Sequence, residues 1–263
     1  MTTHHTGPAT TGDTAPDTAR PGQSYLAGCL DRLQRLLDSE WPAIQAAASV
    51  VAEAYPRGGE VHLFGTGHSH LLAEEPFYRA GGLARIRPIL FEGLMLHVDA
   101  PLSTTLERLD GLADVLLAHH PIRSGDVLFA ISNSGGNAVT SQLAQAAQQR
   151  GATVIAVTSL RHARSDQARH TTHPRLHELA DIVLDNHGLT GDASVEIAGM
   201  ATRVGPTSTV IGAALINAVM VEAVAVMADR GTPPEVYLSS NLAGGDDVNE
   251  RLLATAPSVR GGS

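Results

Sequence analysis

Six consecutive residues, Ser132, Asn133, Ser134, Gly135, Gly136 and Asn137, form a hydroxyl- and amide-rich turn between two apolar stretches. Ahead of it, Val127 to Ile131 is a short apolar run flanked by turn residues, the pattern of a strand buried on both faces of a parallel sheet. Behind it, Val139, Leu143, Ala146 and Ala147 recur at helical spacing, and Gly151 stands where a left-handed residue would close the helix. A helix entered this way turns free backbone N–H groups, the positive end of its dipole and small hydroxyls toward an anion, and glycine lets that anion come close. Phosphate suits such a turn. Without phosphate, the same residues serve as helix caps and turn formers.

The scheme recurs along the chain. Glu60 to Ser69 reads as a strand, then Gly65, Thr66, Gly67, His68 and Ser69, then a helix from His70. Further on, Gly205, Pro206, Thr207, Ser208 and Thr209 cap a long apolar helix, Val210 to Ala228. In an open parallel sheet all strand C-termini face one crevice, so turns of this kind reinforce one another. Glu74 and Glu75 precede Pro76, which interrupts their helix, and a carboxylate at that break is a candidate acid or base. Spacing alone favours a plainer reading, an ion pair of Glu75 with Arg79 four residues on.

The elements that must position these turns are read from periodicity. Ser24 to Glu40 is an amphipathic helix through Leu26, Leu30, Leu33, Leu36 and Leu37, with part of its stripe free to face another subunit. Trp41 and Pro42 break it, and Ile44 to Tyr55 is a second helix. Further strands are predicted at Ile86 to Phe91, Thr153 to Val157 and Asp181 to Asp185. A helix over Leu106 to His119 turns Leu106, Leu109, Val115 and Leu116 inward, whereas residues 186–203 show no clear period. The result is an α/β fold: a three-layer doubly wound sandwich with a five-stranded parallel sheet in flavodoxin-like order, spanning residues 24–253. Residues 1–23 read as a disordered tail and 254–263 as a flexible one.

Composition narrows the function. At 263 residues and 43% hydrophobic content the chain can bury one full core. It opens on no signal pattern and has no uninterrupted apolar span, since Asn217 and Glu222 interrupt the longest; a cytoplasmic protein with no membrane partner is expected. A net charge of −9 with scattered basic residues, and 3% aromatic content, argue against nucleic acid. All 18 basic residues are Arg. Without Lys, a Schiff-base aldolase, a pyridoxal phosphate enzyme and a P-loop kinase are excluded, and any phosphate is held by backbone, hydroxyls, Asn, His or Arg. The single Cys29 reads as a packing residue. His162, His170, His173 and His177 fit no zinc spacing, and His4 and His5 are too few, so neither a metal nor another cofactor is expected.

These residues resemble the SIS (sugar isomerase) domain. FGTGHS at Phe64 to Ser69, ISNSGGNAV at Ile131 to Val139 and VGPTSTVIGAA at Val204 to Ala214 look like its three ligand turns. AEEPFYRAGGLA at Ala73 to Ala84 and PPEVYLSSNLAGGDD at Pro233 to Asp247 extend the resemblance to the stand-alone SIS proteins of bacteria, from Tyr25 to Leu253. The resemblance implies a homodimer with sites near the subunit interface and a phosphorylated sugar as ligand. It implies that Ser132, Asn133, Ser134, Gly135 and Asn137 surround the phosphate. Thr207, Ser208 and Thr209 would close the site, while Thr66, Gly67, His68 and Ser69 would meet the sugar. Gly136 stands where the stand-alone family usually has Arg.

AEE at Ala73 to Glu75 is similar to a stretch of the sedoheptulose 7-phosphate isomerases whose second glutamate takes part in proton transfer, which makes Glu75 the implied base. The N-acetylglucosamine 6-phosphate dehydratases of actinobacteria share the GHS turn, the YRAGGLA run and the STV helix start, and they carry an acidic residue where Glu40 falls. Isomerisation and elimination both begin by removing the proton beside a sugar carbonyl. The implied activity is therefore C2 proton abstraction from an (N-acetyl)hexosamine 6-phosphate or a related sugar phosphate, as an isomerase or a dehydratase/lyase. Glu75 would be the base, and Glu40 or His68 would protonate the receiving or departing oxygen. The alternative is a non-catalytic sensor or binding protein, since SIS domains also serve regulators; against it, Met1 to Glu40 is neither basic nor arranged as a helix-turn-helix.

Overall fold

The computed structural model describes residues 20–255, so most of each expected tail lies outside the described residues. Helix α1 (Pro21–Arg35) starts inside the stretch expected as tail, on a proline whose missing N–H costs nothing in a first turn. The expected break at Trp41 and Pro42 is absent. The chain instead passes through one π turn, Leu36–Glu40, into α2 (Trp41–Ala54), because Pro42 falls in the first turn of α2, where no donor is lost.

Next come β1 (Val61–Gly65), α3 (His70–Glu74), β2 (Ile86–Ile89), α4 (Ala100–Leu106) and α5 (Leu112–His119). They are followed by β3 (Val127–Ile131), α6 (Ala138–Gln149), β4 (Thr153–Thr158), α7 (Leu160–Ala163), α8 (Leu176–Leu179) and β5 (Ile182–Asp185). The chain continues through β6 (Ala193–Val195), β7 (Val204–Pro206), α9 (Ser208–Asp229) and α10 (Gly245–Thr255).

Strands β1 to β5 form one parallel sheet in the order β2-β1-β3-β4-β5, the doubly wound flavodoxin-like arrangement. Central β3 has no exposed residue. Its Val127, Phe129 and Ile131 enter one core with Ile44, Val51, Leu72, Leu215 and Val219 from α2, α3 and α9. Leu128 and Ala130 enter the other with Leu116, Val139, Leu143 and Leu176 from α5, α6 and α8. Two layers of helices thus sandwich the sheet, as alternation along a fully buried strand requires.

The helix expected over Leu106 to His119 is two helices. The chain unwinds over residues 107–110 and restarts after Gly111, which takes a φ of 83°. The changed register exposes Leu109 and Val115 and buries Ala113, Leu116 and Leu117. The aperiodic stretch 186–203 leads into an antiparallel pair, β6 with β7, whose three-residue strands are too short to show a period. Helix α9 is the one helix among the described residues long and apolar enough to cross a membrane. It buries Ile211, Leu215, Ile216, Val219 and Met227 in the core and leaves Val210 and Val221 exposed, so only one face is deeply packed.

The N-terminal edge of the sheet is closed by charge. Asp126 accepts from the Glu60 N–H (2.9 Å) and the Arg123 N–H (2.7 Å) and faces His62 Nε2 at 3.2 Å, while Glu60 pairs with Arg87 at 2.9 Å. Burial pushes the Asp126 carboxyl up, but the His62 ring and the two amides outweigh it and hold it below the usual carboxylate range. A carboxyl lowered on folding stabilises the fold above its unfolded pKa, and that contribution is lost as pH falls through the folded value. Denaturant titrations are therefore expected to show stability falling below about pH 4. In Asp126→Asn the loss should be about 1–3 kcal/mol at pH 7, with a shallower acid dependence.

Candidate functional site

The chain reverses direction across the sheet between β1 and β3, which are hydrogen-bonded neighbours, and the crevice at such a switch point is where open α/β sheets take ligands. Both of the first two turns open there. Thr66, Gly67, His68 and Ser69 follow β1, with Gly67 at a φ of 55°, His68 exposed and the Ser69 N–H returning to the Thr66 carbonyl at 3.0 Å. The turn must be bare at its base: a Cβ on Gly65 would lie 2.5 Å from the Ser69 carbonyl oxygen.

The turn after β3 is fastened from several sides. Ser132 Oγ accepts from the Gly135 N–H at 3.1 Å, and the Asn133 carbonyl accepts from the Ser159 N–H at 3.1 Å. Asn133 Oδ1 accepts from Asn186 Nδ2 at 3.0 Å, and Gly135 takes a φ of 66°. Ser132 and Asn133 thus hold the turn in shape. The Ser134 hydroxyl makes no protein hydrogen bond among the described residues, and no side chain caps the start of α6, where the Val139 N–H is met by a backbone carbonyl, that of Glu107 (3.2 Å). An uncapped helix start offers N–H groups and positive dipole to an anion.

Cationic charge comes from the β4–β5 connection, whose histidines, not its arginines, drew notice in the sequence. Arg175 donates to the Ser134 carbonyl (2.8 Å) and the Arg169 carbonyl (2.9 Å), and Arg169 donates to Asn137 Oδ1 (2.9 Å). Gly136 makes room for this, since a Cβ there would lie 2.6 Å from Arg175 Nη1.

The third turn is differently occupied. The N–H groups of Thr207 (3.1 Å) and Ser208 (2.9 Å) and the Ser208 hydroxyl (2.6 Å) all donate to the Asp192 carboxylate. Asp192, at a φ of 67°, thereby fills the start of α9 with an anion of the chain's own. Thr209 lies in the first turn of α9 behind it.

Three glutamates lie around these turns. Glu40, at the end of the π turn, accepts from the Asp185 N–H at the end of β5 (3.1 Å), two strands from β3. Burial raises its carboxyl above the usual range, against the lowering effect of that amide and of His187. Glu75 pairs with Arg79, as its spacing favours, and also accepts from Asn217 Nδ2 at 3.0 Å. Asn217 lies nine residues beyond Ser208, about 13 Å along α9. Glu75 is thus not gathered with the start of that helix.

Glu107 is a residue the sequence reading missed. Its carboxylate accepts from Thr66 Oγ1 (2.8 Å) and its carbonyl from the Val139 N–H (3.2 Å), so it spans the crevice from the β1 turn to α6. Its position just before Asp110 and Gly111 was the available turn signal. Glu40, Asp185 and His187 bring three ligand-type atoms within 4.8 Å. The imidazole turns a different nitrogen to each carboxylate, whereas a single cation takes one.

Residues 24–159 match the family model described as SIS domain. The chain belongs to the SIS domain family. It is 45% identical over 229 residues to the UPF0309 protein GK1441 of Geobacillus kaustophilus, covering 87% of this chain and 91% of that one. To the UPF0309 protein lin2794 of Listeria innocua it is 42% identical, covering 88% and 93%. Among solved structures it is similar to a phosphoheptose isomerase from Francisella tularensis (18% identity, TM-score 0.48, 76% of this chain and 94% of that one). It is also similar to the sugar isomerase domain of an RpiR transcription factor from Sphaerobacter thermophilus (19% identity, TM-score 0.45, 81% and 98%).

Asp192→Ala removes the cap of α9. Its unfolding free energy is expected to drop by about 1–2 kcal/mol in urea titrations. Inorganic phosphate should recover part of that loss by occupying the freed N–H groups.

Proposed function

We infer that the protein is a phosphosugar enzyme whose ligand phosphoryl group sits at the Ser132–Asn137 turn, and which removes the C2 proton of an (N-acetyl)hexosamine 6-phosphate or a related sugar phosphate. The observation that carries this reading is the start of α6, which no side chain caps, bordered by the Ser134 hydroxyl and by the guanidinium groups of Arg169 and Arg175, in a chain with no Lys. In this reading Thr66, Gly67, His68 and Ser69, which follow the neighbouring strand β1, meet the sugar.

Isomerisation and elimination both need a base and an acid held in different environments. Glu75 is the base in this reading: both of its side-chain partners, Arg79 and Asn217, are donors, so its carboxylate is presented as an acceptor. Glu40, half-buried and shifted upward, is the acid. The position of Glu107 across the crevice favours it as the second candidate base. The exposed Leu26 and Leu30 of α1, Leu37 of the π turn and Val210 and Val221 of α9 support a homodimer, and we place the protein in the cytoplasm.

Proton NMR of N-acetylglucosamine 6-phosphate in heavy water tests the reading. Wild type should exchange the C2 proton for deuterium and Glu75→Gln should do so at least about 10²-fold more slowly; a loss in Glu107→Gln alone would move the base to Glu107. Arg169→Gln should weaken calorimetric binding of the same sugar about tenfold. Tight binding with no exchange in wild type would make the protein a sensor.

A further inference from the structure

The segments that follow β4 and β5 enclose a cleft of about 640 Å³, inside the range of about 300–1,000 Å³ that small-ligand sites occupy. Arg161 of α7, Gln167 just beyond that helix, Thr190 after β5, and Thr202 and Arg203 ahead of β7 line it. No residue of the β3 turn does, and neither Arg169 nor Arg175 is among its lining. Arg161 forms no ion pair and no hydrogen bond among the described residues, in a chain whose net charge is −9. Arg203 meets Glu196 at 2.6 Å through Nη2 and 3.0 Å through Nε, with both side chains exposed. An exposed pair of that kind is weak and yields to a competing anion. The Thr190 and Thr202 hydroxyls and the Gln167 amide are likewise unspent among the described residues.

The walls of the cleft are tied in place. The Gly191 N–H donates to His162 Nδ1 (3.1 Å), the Asp192 N–H to the Leu189 carbonyl (2.8 Å) and the Gln167 N–H to Ser165 Oγ (3.1 Å). Burial, aided by Arg175 and opposed by Asp192, holds the His162 pKa below the usual histidine range, so Nδ1 keeps the lone pair that accepts from Gly191. The next residue, Asp192, is the one that caps α9. Ser159 joins α7 to the β3 turn, since its hydroxyl accepts from the His162 N–H (3.0 Å) and its own N–H donates to the Asn133 carbonyl (3.1 Å).

Two guanidinium groups on one cleft match a doubly charged anion, because each presents a planar fork of donors to the oxygens of a phosphate. Free hydroxyls and an amide beside them suit a ligand that carries hydroxyls of its own. No aromatic side chain lines the cleft, so it has no platform for a nucleobase. We propose that this cleft is a second ligand site, separate from the β3 turn, which takes the phosphate monoester of a polyhydroxy compound between Arg161 and Arg203. Thr190, Thr202 and Gln167 meet the hydroxyls of that ligand, and Glu196 gives up Arg203 to it. The site goes beyond the proposed reaction and does not depend on it.

The test follows the Nε–H signals of Arg161 and Arg203 in ¹⁵N-arginine-labelled full-length protein, assigned by loss in Arg161→Gln and Arg203→Gln, during titration with inorganic phosphate and with glucose 6-phosphate. Both signals should move on one saturable curve, and glucose 6-phosphate should bind about tenfold more tightly than inorganic phosphate through its hydroxyls. Arg161→Gln should weaken the response of Arg203 about tenfold. Glu196→Ala, which frees Arg203, should tighten binding about two- to fivefold, a gain that damage to the fold would not produce. The curve should persist in Arg169→Gln, which separates this site from the β3 turn whether or not the phosphosugar reading holds. The proposal is overturned if the two signals stay fixed, if sodium chloride at equal ionic strength moves them as far, or if the two probes bind equally well. Loss of the curve in Arg169→Gln would also overturn it, by assigning the response to the first site.

Discussion

A strand with both faces buried has only its ends to offer to solvent. Central β3 is such a strand, and the parallel order around it points every C-terminal end to one edge of the sheet. The consequences run through the molecule. Polar turns that could not sit inside a layer collect along that edge. The opposite edge carries the Asp126, His62, Glu60 and Arg87 network, where charge ties β1, β2 and β3 together.

Carboxylates at the ligand edge have diverged by environment rather than by type. Asp192 is consumed in capping α9, and Asp185 accepts from two backbone amides. Glu75 lies among donors, while Glu40 is pushed upward by burial. Divergent environments of this kind let one residue type accept a proton in one place and release it in another. Cationic charge follows a similar economy. In a chain without Lys, two guanidinium groups reach the β3 turn from a distant connection, and Gly136 leaves space for that of Arg175.

Much of the scaffold was legible in sequence. The apolar run at Val127, the helical spacing after Asn137 and the left-handed Gly151 are local patterns, and all three recur in the structure. Local reading failed where a local signal had two meanings. Pro42 can break a helix or begin one, and Gly111 reset a register that Leu106 to His119 seemed to carry through. Residues 193–195 and 204–206 pair across a gap in strands too short to announce themselves.

The sequence by itself determined which segments are buried strands and helices, which turns have the hydroxyls and glycines to face an anion, and that no ammonium group takes part. Tertiary structure alone decided which helix start a side chain fills and which it does not. It brought Asp192 onto α9, Glu107 between Thr66 and Val139, and Glu40 beside a strand end 145 positions away. The reason is physical. Periodicity and turn chemistry act over a few neighbouring residues, whereas the occupancy of a donor and the burial of a carboxylate depend on groups that meet only when the chain has folded.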